Sequence, residues 1–212
     1  MSYIVQTDEV ALAAQAKYRE DAIKAGKERA LALGGIATPG APNPEHPYNG
    51  RYDNLVERCF DYGTDFLVPT AGAAAIAGGV SGWVTMPLVA VGLNYSVFAT
   101  VPVPFVPVAV VPVVPNNQVW VFYKVSILAT GALVDPVSYL FFFTGQSQNR
   151  KDQFDLEPLY GKLNADGFFS KPVVYDKNDF CGASVRARVV SAVGIRVCLQ
   201  GWVIEPGQNT FV

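Results

Sequence analysis

Gln118-Val-Trp-Val-Phe-Tyr-Lys-Val-Ser-Ile-Leu-Ala-Thr130, a turn around Gly131 and Asp135-Pro136, then Val137-Ser-Tyr-Leu-Phe-Phe-Phe-Thr-Gly145: the reading of this stretch decides the fold. Both arms are dense in β-branched and aromatic side chains, which fit a pleated, half-buried surface. Thr130-Gly131 and Asp135-Pro136 between them favour a chain reversal. The arms are therefore expected as two long, buried strands paired as a hairpin, with the flanking segments supplying further strands.

Downstream, the alternation is clearest near the end of the chain. In Ser184-Val-Arg-Ala-Arg-Val189, Val185, Ala187 and Val189 face one way and Arg186 and Arg188 the other. Ser191-Ala-Val-Gly194 reads as a turn, followed by Ile195 to Val203 with Ile195, Val197, Leu199 and Val203 inside. The expectation is a hairpin with one solvated face. Arg186, Arg188 and Arg196 project from that face, as a soluble surface or one for an anionic partner. Between the two hairpins, residues 146–181 are polar and read as a long loop with one short strand at Pro172–Tyr175. Asp152, Asp155 and Glu157 offer the oxygen ligands that calcium takes, but without the glycine-punctuated spacing of a dedicated loop they read as solvated charges.

Upstream, the charge distribution is unusual. From Phe66 to Tyr123 there is no Asp, Glu, Lys, Arg or His. Exposed apolar patches on a solvated monomer are limited in size, so this stretch must lie in the core, under neighbouring subunits or in lipid. Residues 71–93 are long and apolar enough for a membrane span. Their six glycines and prolines and the lack of flanking Lys or Arg argue instead for a tight Ala/Gly loop and a strand from Trp83 to Val91. Residues 95–115 interleave Pro102, Pro104, Pro107, Pro112 and Pro115 with Val and Phe. Proline cannot donate to a sheet ladder, so the segment is expected as edge strand and stretched connector. Its apolar side chains suit a subunit interface. Residues 51–70 mix charge with aromatics and read as a helical turn before a strand at Phe66–Val68.

Residues 8–33 read as a helix, capped by Thr7 or Asp8 and stopped at Gly34-Gly35. Its stripe of Val10, Ala14, Ile23 and Ala30, with Leu12, Leu31 and Leu33, holds few large side chains. Such a helix either packs along the body or acts as an arm that docks on another subunit. Residues 34–50 carry four prolines and four glycines in seventeen positions and read as a linker. The single histidine, His46, sits in it and reads as solvated.

The 212 residues are enough for one main domain with a sizeable core. Half are hydrophobic, only 16% are charged, and the net charge is −2 with no basic run, which argues against wrapping nucleic acid. Cys59, Cys181 and Cys198 are odd in number and lack Cys-x-x-Cys spacing, and read as buried free thiols of a reducing compartment. Met1-Ser-Tyr-Ile-Val leads into a charged, Ala-rich segment and not into the apolar run of a secretory signal. One linker histidine removes His-centred triads and most His metal sites. There is no Gly-x-Ser-x-Gly elbow, phosphate loop or dinucleotide fingerprint. No enzyme activity and no cofactor or metal are expected.

Strands near residues 66, 84, 97, 106, 119, 137, 184 and 196 make about eight, with no helices between them. The expected fold is mainly β, an antiparallel two-sheet sandwich of jelly-roll type over residues 51–212, preceded by an N-terminal helical arm (1–33) and a Pro/Gly linker (34–50). The arm Asp8–Leu33, the linker Gly34–Gly50 and the low-charge sandwich ending in Gly201-Trp-Val-Ile204 resemble, in architecture, capsid decoration (cement) or head-fibre proteins of tailed bacteriophages. That resemblance implies a virion protein made in the host cytoplasm. Its arm would anchor on a major capsid or other shell protein, and its sandwich would self-associate, often as a trimer. Val10, Ile23, Leu31, Val103, Phe105, Val108 and Val110 are the expected interface residues. The second reading is a receptor- or carbohydrate-binding sandwich using Tyr160, Phe168, Phe169 and Tyr175. The third is a membrane-associated protein using residues 71–93.

Overall fold

The computed structural model describes residues 4–6, 11–32, 54–61, 86–100, 108–109, 111–116, 118–129, 135–144, 149–160 and 165–205. Among them the chain forms β1 (Ile4–Gln6), α1 (Ala11–Ala32), β2 (Asn54–Asp61), β3 (Met86–Leu88), β4 (Asn94–Ser96), β5 (Ala99–Thr100), β6 (Val108–Ala109) and β7 (Val119–Ala129). It continues with β8 (Val137–Thr144), β9 (Asn149–Asp155), a 3-10 turn (Glu157–Leu159), β10 (Ala165–Tyr175), β11 (Cys181–Ala187) and β12 (Ser191–Glu205). The protein is mainly β, with two antiparallel sheets facing each other and one helix. One sheet has the order β1-β10-β7-β12-β2, with β3 also on β12, and the other β4-β11-β8-β9. β5 and β6 pair separately.

Eight of these strands pair in a nested series. β8 pairs with β9, β7 with β10, β4 with β11 and β3 with β12. Two further pairings, β11 with β8 and β12 with β7, join the four ribbons into the two sheets. β7 and β8 therefore do not pair as the expected hairpin: β7 lies in one sheet and β8 in the other. The same correction applies to β11 and β12. In both places the sequence neighbours face each other across the core, and each strand takes its ladder partners from elsewhere in the chain, β7 from β10 and β12 and β8 from β11 and β9. Phe122 of β7 stacks on Phe142 of β8 across that core, with centroids 5.7 Å apart.

The core between the sheets is built of aliphatic and aromatic side chains. Trp120, Phe122, Val125, Ile127, Phe169 and Tyr175 come from one sheet, and Val137, Leu140, Phe142, Phe154, Ala183 and Val185 from the other. The inward set on β7 shifts from even to odd numbers between Phe122 and Val125 because the register with β12 slips there: Lys124 faces Gln200, but Phe122 faces Gly201. The extra residue is Tyr123. The bulge turns it, with Val119 and Val121, to the outer face, where α1 lies.

Helix α1 covers β7, β10 and β12 of its own chain. The stripe that meets the sheet is Tyr18, Ala22, Gly26 and Ala30, one residue every four. Of the expected stripe Ala30 meets the sheet and Ile23 is only half-buried, while Val10 and Leu33 lie outside the described residues, as do the side chains of Leu12, Ala14 and Leu31. Small residues let the helix backbone settle onto the sheet. A side chain at Gly26 would run into Ile204 and Val121. Tyr18 stacks on Phe168 (5.1 Å, 8°), and Arg19 lies over the Trp202 ring at 5.5 Å. At the far end Arg29 donates two hydrogen bonds to Asp176, at 2.8 and 2.6 Å, fastening the helix to the turn between β10 and β11. That hydrogen-bonded carboxylate holds the Arg29 guanidinium even more firmly charged than usual.

The region read as a long polar loop with one short strand at Pro172–Tyr175 holds two strands, and the expected one is the end of β10. β9 is an edge strand whose charges protect the open ladder, with Phe154 fully buried beneath it. β10 holds Gly167 and Pro172, and its register with β7 shifts between Phe168 and Val173. Residues 54–61, in the stretch read as a short helical turn before a strand, form β2 against β12. The linker 34–50, His46 and the strand expected at 66–68 lie outside the described residues.

Cys181 is free and buried, and Cys198 is disulfide-bonded, which corrects the expectation of three free thiols. Burial pushes the Cys181 thiol well above its ordinary pKa, so little reactive thiolate forms. Native protein is therefore expected to be inert to a thiol reagent. Unfolded, unreduced protein should yield one thiol, and reduced protein all three cysteines. Three thiols before reduction would contradict the bond.

Candidate functional site

Of the seven expected interface residues, Ile23 has a described side chain, half-buried on α1 beside the stripe that meets the sheet. Val108 lies in β6, opposite Thr100, and Leu31 in α1, but neither has a described side chain. Val10, Val103, Phe105 and Val110 lie outside the described residues. The ends of the Val/Pro segment are firmly anchored. Val97, Phe98 and Val114 are fully buried, Cys181 N–H donates to the Pro112 carbonyl (2.8 Å), and Val114 N–H donates to Asp179 (2.9 Å).

The aromatics considered for a sugar site are not a surface. Phe168 is sealed under α1 between Tyr18 and Tyr123. Phe169 packs on Phe154 at 4.4 Å in the core. Tyr175 is buried, with its hydroxyl 2.9 Å from the carbonyls of Phe143 and Gly182, and burial pushes its pKa far up. Tyr160 donates to the Val137 carbonyl at 2.6 Å, bracing the turn before β8, and burial raises its pKa too. In each case a polar neighbourhood in the sequence conceals an inward side chain.

The three carboxylates weighed for calcium are held apart. Asp152 pairs with Lys171 at 3.0 Å, Asp155 accepts the Glu157 N–H at 2.9 Å, and Glu157 pairs with Arg188 at 3.0 Å. Among the described residues no three His, Cys, Asp or Glu side chains gather for a metal ion, and no helix is long and apolar enough to cross a membrane. Within residues 71–93, Met86–Leu88 is a strand and residues 89–93 form the turn into β4. Arg186 and Arg188 are exposed, and the side chain of Arg196 is not among those described.

Sequence reading missed a surface that only the fold assembles. The β3–β4 turn and the β11–β12 turn lie side by side, joined by Gly92 N–H to the Ala187 carbonyl (2.8 Å) and Ala187 N–H to the Leu93 carbonyl (2.9 Å). They expose Val89 (70%), Val91 (62%), Leu93 (52%) and Val190 (62%) at one end of the sandwich. Val89, Val91 and Leu93 belong to the uncharged stretch. Val190 comes from some hundred residues later in the chain, so nothing local marks the cluster. A scan against protein-family models finds no match to this chain, and neither does a sequence comparison with curated proteins.

Proposed function

We propose that this chain is a non-enzymatic structural protein of a viral particle, one that self-associates and docks on a shell. The observation that carries this reading is the apolar end formed by Val89, Val91, Leu93 and Val190. Grouped exposed apolar side chains cost free energy in water unless a partner covers them, and symmetric self-association is the commonest cover. The Val/Pro segment, uncharged and anchored at both ends, would extend that contact. An interface of roughly 1,000 Å² or more makes such an assembly lasting.

The fold proposed for it is a jelly roll. Support comes from the nested pairing: β3–β12, β4–β11, β7–β10 and β8–β9 are what one long antiparallel ribbon gives when rolled into two sheets. Viral capsid domains share this architecture, as do lectin domains. The N-terminal helix enters the proposal as a docked layer. Its exposed side, with Lys17, Glu20, Asp21, Lys24 and Glu28, would face a capsid or other virion protein.

Light-scattering mass tests the reading. Phe105→Asp and Val108→Asp are expected to reduce a discrete oligomer to single chains while the circular dichroism stays unchanged. Variants that keep the wild-type mass would remove the Val/Pro segment from the interface.

A further inference from the structure

The two outer faces of the sandwich are finished differently. On the six-stranded sheet the outward side chains of β7, β10 and β12 lie under α1. On the four-stranded sheet the outward row of β8 is Tyr139, Phe141 and Phe143, half-buried, and no described element packs over it. β8 is a central strand between β11 and β9, so this row stands in the middle of the face.

Polar groups converge on the row. Phe141 has Ser184 opposite it on β11 and Gln153 opposite it on β9. Asn94 comes from β4, and Arg150 comes from β9. The Arg150 guanidinium stacks 5.1 Å from the Phe141 ring centroid and donates to Gln153 Oε1 at 2.8 Å. It is thereby fixed in place with further N–H donors to offer. The Phe143 ring lies across Gly182, in the space that a side chain there would take. A cleft of about 100 Å³ opens on this face, lined by Asn94, Phe141, Phe142, Phe143, Arg150 and Ser184.

A mostly polar lining beside the rings of Phe141 and Phe143, with Arg150 stacked on one of them, selects a particular shape of ligand. It must present C–H groups to the negative face of a ring and hydroxyls or a carboxylate to Arg, Asn and Ser. Sugar rings do both. A peptide strand would add to a sheet edge, and this cleft is on a face. Nucleic acid needs clustered cations, and Arg150 alone lines this cleft. We infer that the outer face of β4-β11-β8-β9 is a saccharide-binding site, seating one sugar ring of a glycan against Phe141 with Arg150, Asn94 and Ser184 on its polar edge. A cleft this small buries little ligand, so each copy binds weakly, with Kd on the order of millimolar. Several copies on one particle would bind tightly by avidity.

The test applies the full chain, tetramerised on labelled streptavidin, to a printed array of neutral and uronic-acid-containing oligosaccharides. Wild type is expected to bind a defined subset. Phe141→Ala and Arg150→Ala should each lose at least tenfold, and Arg188→Ala, whose side chain pairs with Glu157 and does not line the cleft, should bind as wild type. Ser184→Leu fills the cleft while leaving its walls, and should lose binding too, which covers the case of a wall variant that misfolds. An array with no bound saccharide, or binding that survives all three cleft variants, overturns the inference. So does a Phe141→Ala variant that changes the oligomer mass while keeping its saccharide signal. A monomeric wild type that binds the array leaves this site standing and removes only the assembly reading.

Discussion

Phe142→Ala is expected to lower the free energy of unfolding by about 3–5 kcal/mol. Phe142 is fully buried and is the ring through which the two sheets meet. It stacks on Phe122 of β7 and makes edge contacts with Phe154 of β9 (6.0 Å) and Phe169 of β10 (5.5 Å). Removing it leaves a void that three stiff rings on three strands cannot close. The neighbouring residue supplies the control: Phe141 points to the outer face and is half-buried. Phe141→Ala should cost only about 1 kcal/mol, in the range of partly exposed sites. Urea titrations of the two variants read the contrast as a shift of midpoint at unchanged slope. Equal costs would mean that the Phe141-Phe142-Phe143 run does not alternate across the sheet as described.

Gly201→Val should be at least as damaging, for a reason that does not involve a void. Gly201 sits on β12 where the β7 bulge brings the chains together, opposite Phe122. A side chain there would strike the backbone carbonyl of Val121 and crowd the Phe122 ring, 3.1 Å away. A side-chain obstacle could rotate aside, but a carbonyl within a sheet ladder moves only with its strand. Overpacking of this kind costs about 3 kcal/mol or more, which at this chain length lowers the melting temperature by roughly 10 °C. The check is thermal unfolding of whatever protein remains soluble. A wild-type melting temperature would show that β7 and β12 are not this close at the bulge.

The residues that were legible in the sequence are those whose side chains repeat a local pattern. Val119–Ala129, Val137–Thr144 and the alternation from Val185 onward announce strands because apolar, β-branched residues recur at the strand period. Pairing was not legible. The seven residues from Thr130 to Pro136 carry the turn chemistry of a hairpin, yet the strands on either side of them, β7 and β8, lie in different sheets. The choice depends on β10 and β12, which flank β7 and come later in the chain. β9 was hidden because an edge strand is charged wherever it meets water, and of β10 only Pro172–Tyr175 was legible, the half that holds Gly167 and Asp166 reading as polar loop. The helix was visible from its alanines, but its contact stripe was not, since Gly26 and Ala22 touch the sheet by being small. The Phe141 cleft draws on β4, β8, β9 and β11, so no window of sequence contains it. One disulfide and one spare thiol account for an odd cysteine count that had argued against any bond.

The measurement closest to the assembly proposal is the light-scattering mass of wild-type protein in detergent-free buffer. A discrete oligomer of about three chains is the predicted result, with the apolar end and the uncharged stretch covered by neighbouring copies. A single chain would contradict it. So would material that stays aggregated until detergent is added, a result that would turn attention to residues 71–93 and lipid.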